Sequence, residues 1–334
     1  MIPDPVWRQR IVFVTGCSGF LGCWLVRRLC ENGARVIGFC RSEIPQSGLF
    51  SEFGLRDRIK FVQGSLADQP LLERTILECG ADTIFHLAAQ SKVDIARRYP
   101  SQTFETNIQG TWNLLEAVRN AGQIIRVVVA SSDIVYESSR ELPYTETSPM
   151  EGMSPYAASK ACAELLAKSY HRFYGVRVCI ARTSNLYGGG DLAFQRIIPG
   201  TIRSVIRGEA PVINSNGHSE RDFLYVEDAV AGYLLLAAAM ERAQICGEAF
   251  NFSAETPITV SVLVETILKL MACRDLNPRV LGQSPDEIAI KHLSSLKARQ
   301  ELGWCADSSL ESGLKKTIAW YRAHANEAHL EAQN

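Results

Sequence analysis

The chain has 334 residues, a formal net charge of −1, 46% hydrophobic residues and 21% charged residues. That length is enough to bury one large core or two closely packed ones, and the near-neutral balance gives no global electrostatic case for nucleic acid or an anionic membrane as partner. No apolar run approaches the roughly 20 residues of a membrane span, and Met1–Gln9 is too short and mixed for a signal peptide. Ten cysteines are scattered singly, without a Cys-x-x-Cys pair, and Cys162, Cys179 and Cys246 sit inside apolar segments. These read as reduced, buried thiols of a cytoplasmic protein, not as disulfides or metal ligands. The six histidines show no metal-ligand spacing either.

Taken in chain order, Ile11–Thr15 is a short β-branched apolar run. Gly16-Cys-Ser-Gly19-Phe20-Leu21-Gly22 follows, then a helical pattern through Leu29 that Asn32-Gly33 ends. Val36–Phe39 is a second buried strand, and further apolar runs come at 59–63, 83–87, 126–130 and 176–181. Helical patterns at 69–79, 103–121 and 156–174 separate them. Strands alternating with helices, at spacings too long for hairpins, predict an α/β fold: a doubly wound parallel sheet covered on both faces. Beyond about Asn185 the pattern changes to loops and short elements, with later helices near 260–271 and 310–324. The expected organisation is a dinucleotide-binding domain over 1–184 and a smaller, mixed C-terminal lobe over 185–334. Later segments of that lobe are expected to return to the first domain.

Two features carry chemistry. Gly16, Gly19 and Gly22 lie where the first strand gives way to the first helix. Glycines there permit a tight turn and close approach to a pyrophosphate, and the helix N-terminus supplies oriented N–H groups. The second strand ends in Cys40-Arg41-Ser42 with no carboxylate for a ribose diol, and Arg41 and Ser42 could hold a 2′-phosphate instead. That tilts the cofactor toward NADP+ and leaves NAD+ open. The second feature is Tyr156 and Lys160, at i and i+4 on one predicted helix face. An ammonium beside a phenol is expected to lower its pKa, and a tuned tyrosine can take a proton from an alcohol while hydride leaves the same carbon.

The glycine turn, His86-Leu87-Ala88-Ala89, Asn107, Ser131-Ser132 and the Tyr156/Lys160 pair occur in one order. In this the chain resembles the extended short-chain dehydrogenase/reductase family over nearly its whole length. Asn185-Leu-Tyr-Gly-Gly-Gly-Asp191, Arg196-Ile-Ile-Pro-Gly-Thr-Ile-Arg203 and Arg221-Asp-Phe-Leu-Tyr-Val-Glu-Asp228 resemble its nucleotide-sugar enzymes, the CDP-glucose 4,6-dehydratase branch above all.

The resemblance implies a Rossmann domain and assigns residues by position. Gly16, Gly19, Phe20, Leu21, Gly22, Arg41, Ser42, Leu66, Leu87, Ala88, Ala89, Asn107, Ser131, Tyr156 and Lys160 would meet NAD(P)+, with Asn107 supporting the site through its backbone. Ser65 stands where an aspartate often contacts adenine. Ser132 would bond the sugar 4-hydroxyl. Asn185, Arg196 and Arg221 would hold the substrate, Asn185 and Arg221 at its pyrophosphate; the planar guanidinium fork suits phosphate oxygens. Asp228 would cap a helix. The helices near 103–121 and 156–174 carry apolar residues on more than one face and would form a homodimer interface.

The reaction type divides on two residues. After oxidation at C4, a 4,6-dehydratase needs an acid for the C6 oxygen and a base for the C5 proton, usually the two residues after the catalytic serine or threonine. Here these are Asp133 and Ile134, so the acid is present and the base is not; Asp94 is a candidate from another loop. A 4-epimerase needs neither, and Asp133 would then make only a structural hydrogen bond. A ketoreductase and a non-catalytic Rossmann module are the remaining alternatives. Retention of Ser132, Tyr156 and Lys160 argues against the module.

Overall fold

The strand at Ile11–Thr15 (β1) is buried from Val12 onward on both faces, which suits the centre of a parallel sheet. The computed structural model, which describes residues 6–43, 48–137, 141–283 and 288–325, places β1 in parallel register with both Arg35–Cys40 (β2) and Thr83–His86 (β4). Lys60–Gln63 (β3) lies outside β2, while Arg126–Ser132 (β5), Arg177–Thr183 (β6) and Ala249–Phe252 extend the other side. The seven strands therefore run β3-β2-β1-β4-β5-β6 and then 249–252, all parallel. After β3 the chain crosses to the opposite side of β1. The crevice beyond the strand ends at that reversal is where such sheets bind ligands.

Two apolar layers close on the sheet. Leu25, Val26, Ala229, Tyr233 and Leu236 cover one face; Leu72, Ile76, Leu114, Leu115 and Ala167 cover the other. The elements follow the predicted order, with two informative differences. β5 runs on to Ser132, so Ser131 and Ser132 leave the sheet edge as strand residues, not as loop. The helical stretch at 103–121 is composite: Pro100–Phe104, a π-turn over Glu105–Gln109, then Gly110–Asn120. The π-turn follows from Asn107, whose side chain is bonded away from the helix axis, and such turns recur at functional sites.

The helix Pro155–Tyr174 has strong local start and stop signals. Ser154 accepts from Ala157 N at 3.3 Å, Pro155 occupies the first turn, and Gly175 (φ 71°) ends it. The C-terminal lobe is built from short strands. Asn185–Tyr187 pairs with Phe223–Tyr225, and Glu220–Arg221 lies between Ile258–Thr259 and Ile290–Lys291. Ile198, Ile202, Leu263, Ile267, Leu314 and Ile318 form its core. The chain passes between lobes repeatedly: the helix Val226–Ala239 contacts β5, β6 and the first helix before 249–252 joins the sheet. Among the described residues no helix is long and apolar enough to cross a membrane.

Candidate active site

The turn after β1 is sterically specific. Gly16 has φ 72°, and a Cβ there would stand 2.8 Å from Ala88 N; a Cβ on Gly22 would stand 2.1 Å from Gly16 O. Backbone approach this close needs glycine. Gly19 N donates to Gly16 O at 3.1 Å, and the first helix, Phe20–Glu31, begins with no side-chain cap and no acidic residue in its first turn. Its leading N–H groups and positive dipole end are left for an anion. The cradle fits the pyrophosphate of a dinucleotide.

From this cradle a cleft of about 1630 Å³ crosses the C-terminal edge of the sheet. That exceeds the few hundred to roughly 1,000 Å³ of single-ligand pockets and is adequate for two ligands side by side. Gly16, Gly19, Phe20, Leu21, Gly22, Arg41, Ser42, Ser65 and Leu66 line one end, with Leu87, Ala88 and Ala89 after β4. Ser131, Ser132, Asp133, Tyr156 and Lys160 line the middle, and Asn185, Arg196, Arg221 and Lys291 the other end.

The floor is held by buried hydrogen bonds. His86 Nδ1 lies 2.8 Å from Thr15 Oγ1 and Nε2 lies 3.1 Å from Thr111 Oγ1, while the Thr111 hydroxyl donates to Asn107 O at 2.6 Å. With its own proton committed, Thr111 accepts from Nε2–H, which leaves Nδ1 to accept from Thr15. Burial, aided by nearby Lys160, holds this imidazole neutral, with its pKa down at about 3. Asn107 acts through its side chain and not, as expected, through its backbone alone. Oδ1 accepts from Gln90 N at 2.7 Å, and Nδ2 donates to Gln90 O and to Ser159 Oγ. Ser159 donates in turn to Tyr156 O at 2.7 Å, so the loop after β4 is tied to the first turn of the Tyr156 helix.

The Tyr156/Lys160 pair differs from its expected electrostatics. Burial pushes the Tyr156 phenol up to about 12; Arg196 opposes this and Asp133 reinforces it. Lys160 Nζ donates to Ala130 O at 2.8 Å. Burial lowers Lys160 itself to about 8, with Glu164 pulling it back up. Arg196, ion-paired to Asp191 at 3.0 Å, is a cation that acts on Tyr156.

Beneath the cleft lies a network that sequence patterns did not reveal. Ser131 Oγ donates to Glu164, whose carboxylate is bound by Arg182 through Nε at 3.0 Å and through Nη2; both side chains are 1% exposed or less. Arg182 also donates to Tyr136, which donates to Asn251 Oδ1 at 2.9 Å. The network links β5, β6, the Tyr156 helix and strand 249–252.

Asp133 is the second departure. Its Oδ2 lies 3.1 Å from Lys291 Nζ, with the side chains 4% and 9% exposed, and its Oδ1 accepts from Ser132 Oγ at 3.0 Å. Ile134 lines the cleft beside it. Asp94 is exposed and absent from the cleft lining, because its neighbours Val93 and Ile95 occupy that wall. Asp228 does not cap its own helix; its carboxylate accepts from Asp307 N and Ser308 N and anchors the loop before the helix Leu310–Ala323. Asn185 Nδ2 donates to Asp222 O at 3.2 Å, and Arg221 Nη1 donates to Glu220 O at 2.7 Å. Both fix the far wall.

A doubly wound sheet with a glycine cradle after β1 and a tyrosine–lysine couple on the helix after β5 defines an extended short-chain dehydrogenase/reductase. Comparison with known proteins narrows this. The family described as GDP-mannose 4,6 dehydratase matches residues 13–317. The CDP-glucose 4,6-dehydratase of Salmonella typhimurium is 33% identical over 97% of this chain and 93% of its own length. The dTDP-glucose 4,6-dehydratase of Shigella flexneri is 30% identical over 94% and 93%. Among solved structures, the UDP-glucose 4-epimerase of Thermotoga maritima with UDP-glucose superposes with a TM-score of 0.87 at 30% identity, covering 95% of this chain and all of that one. The dTDP-glucose 4,6-dehydratase of Streptomyces venezuelae, solved with NAD bound, gives 0.86 at 31% identity, covering 96% and all of it. The chain belongs to the GDP-mannose 4,6-dehydratase family.

The Glu164–Arg182 pair makes a stability prediction. Glu164→Ala strands a buried guanidinium and is expected to cost about 3–5 kcal/mol. Replacing both residues by methionine is expected to cost less than the single change. Urea unfolding of the cofactor-free protein checks both, and a Glu164→Ala cost below about 1 kcal/mol contradicts the expectation.

Proposed function

We propose that the protein is a nucleotide-sugar 4,6-dehydratase acting on a hexose linked to a nucleoside diphosphate. The observation that carries this reading is Asp133: a carboxylate buried in the cleft wall, bonded to Ser132 and close enough to Tyr156 to affect its phenol. Ser132 and Lys291 offset the burial of this carboxylate and hold it in the cleft lining. C4 oxidation and simple return of the hydride use only Ser132, Tyr156 and Lys160, whereas loss of water from C5 and C6 needs a proton-transfer group at this place.

Bound NAD(P)+ supplies the acceptor, and later the donor, of the hydride. Ser132 bonds the 4-hydroxyl, and Tyr156 takes its proton. Burial raises the Tyr156 phenol, so its deprotonation needs positive charge nearby, and Arg196 supplies part of it. Asn185 and Arg221 hold the pyrophosphate across the far wall, and Arg196 adds its cation between them and Tyr156. Arg41 and Ser42, exposed at the end of β2, favour a 2′-phosphate and hence NADP+.

One observation favours a second reading: Ile134 puts an apolar side chain in the wall where a dehydratase of this type carries its second group. That arrangement suits 4-epimerisation. Incubation with CDP-, UDP-, GDP-, ADP- and dTDP-hexoses, followed by mass spectrometry and NMR, separates the two. Loss of one water supports the dehydratase; unchanged mass with inverted C4 supports the epimerase. Tyr156→Phe is expected to reduce either reaction by about 10²–10⁴-fold without loss of fold, and full activity in that variant refutes the proposed base.

For the cofactor, Arg41→Ala is expected to weaken NADP+ binding at least about tenfold, one charge-assisted contact's worth, while changing NAD+ little. Equal losses measured by calorimetry contradict the preference. For assembly, Phe104, Trp112, Leu165 and Phe173 are exposed apolar residues on the two helices of the expected interface. A face of this kind marks an association surface, and a homodimer is expected by light scattering. Trp112→Glu combined with Phe173→Glu is expected to give monomers; an unchanged mass in that variant moves the interface elsewhere.

A further inference from the structure

Ile134 has no proton-transfer group, but Lys291 brings a second one into the cleft from another part of the chain. We infer that Lys291 and Asp133 form the acid–base pair of the dehydration step, with Lys291 as the acid at C6 and Asp133 as the base at C5. This rests on the dehydratase reading above and deepens it.

Lys291 ends the two-residue strand Ile290–Lys291, in register with Arg221 on the neighbouring strand. The following residues are fixed as well: Tyr144 N donates to His292 O at 3.0 Å, and Ser294 N donates to Tyr144 O at 2.8 Å. Backbone held on both sides aims the side chain into the cleft, where it is 9% exposed and lies 3.1 Å from Asp133 Oδ2. A lysine serving only solubility would project into water, as long charged side chains normally do.

The two oxygens of Asp133 differ. Oδ1 accepts from Ser132, while Oδ2 is buried, has no hydrogen-bond partner among the described residues and lies 3.1 Å from the Lys291 ammonium; Asp222 is also near enough to feel the charge of Asp133. That leaves an electron pair for a proton on the oxygen beside Lys291. An ion pair holds one transferable proton and one vacant basic site, which is the inventory that elimination of water needs. Resemblance to other dehydratases gives Asp133 the part of the acid; the pairing with a cation gives it the part of the base.

The step balances. With C4 as a ketone, Asp133 Oδ2 takes the C5 proton and the C5–H electrons become the C5=C6 double bond. The C6–O bond breaks, and the departing oxygen takes a proton from the Lys291 ammonium to leave as water. Hydride is then returned to C6 and the Asp133 carboxyl returns its proton to C5. Lys291 is recharged by the proton that Tyr156 took from the 4-hydroxyl, passed through solvent. Ile134 excludes water from the C5 side and has no proton to move.

The test uses the full chain, loaded with cofactor, in D₂O, with whichever donor of the panel above the wild type turns over. Lys291→Met is expected to lose dehydration by at least about 100-fold, the range of a general acid. Reduced nicotinamide is expected to accumulate at 340 nm, and deuterium is still expected to enter C5 of the 4-keto sugar. Asp133→Asn is expected to lose both dehydration and C5 exchange. Lys291→Arg, which keeps the charge beside Asp133 but cannot give up its proton at working pH, is expected to melt like the wild type and still fail to dehydrate. Dehydration in Lys291→Met within threefold of wild type overturns the pair while leaving the dehydratase reading intact. Loss of C5 exchange in Lys291→Met reverses the two roles and overturns the assignment. Recovery in Lys291→Arg reduces Lys291 to a positioning charge and also overturns it. Inversion at C4 without loss of water by the wild type overturns both the reading and the pair.

Discussion

The buried Glu164–Arg182 pair is the constraint around which the site is built. An ion pair at full burial survives only if nearly every donor and acceptor is matched. Here the matching groups are Ser131 at the end of β5, Tyr136 in the turn after it, and Asn251 on the strand beyond β6. Satisfying one carboxylate therefore fixes three strand ends and the helix that carries Tyr156 and Lys160. Tyr156 sits two turns before Glu164 on that helix, so its position follows from the same pair.

A second set of bonds sets the cofactor side. Thr15, His86, Thr111 and Asn107 form a chain from β1 through β4 to the composite helix, and Asn107 then clamps Gln90 and Ser159. Burial keeps His86 neutral, so it serves as a fixed donor and acceptor and not as a titrating group. The glycine cradle, by contrast, is held by steric exclusion. Gly16 and Gly22 approach neighbouring backbone so closely that a side chain has no room. One half of the cleft thus rests on polar satisfaction and the other on the absence of atoms.

Much of this was legible in the chain. The β1–turn–helix motif, the strand–helix alternation and the helix starting at Ser154-Pro155 are local patterns, and local geometry follows from local sequence. Tyr156 and Lys160 share a face for the same reason. Three features resisted reading. Asn107 is buried behind the cleft lining and bonds Gln90 and Ser159, contacts that only the folded chain brings together. The Tyr156 phenol is raised and not lowered, because its burial outweighs the cation acting on it. Asp94 belongs to a segment that lines the cleft, but its own side chain is exposed.

What the sequence by itself determined is the class of protein: a doubly wound sheet, a glycine turn after β1, and Tyr156 and Lys160 on one helix face. Each depends on residues within a few positions of one another. The two groups proposed for the second half of the reaction meet only in the tertiary structure. Asp133 and Lys291 lie far apart in the chain, and no periodicity connects them. They meet because Ile290–Lys291 adds to the edge of Glu220–Arg221, and that small sheet closes over the end of β5. A charge pair is set by distance in space, and distance in space is what a linear pattern does not carry.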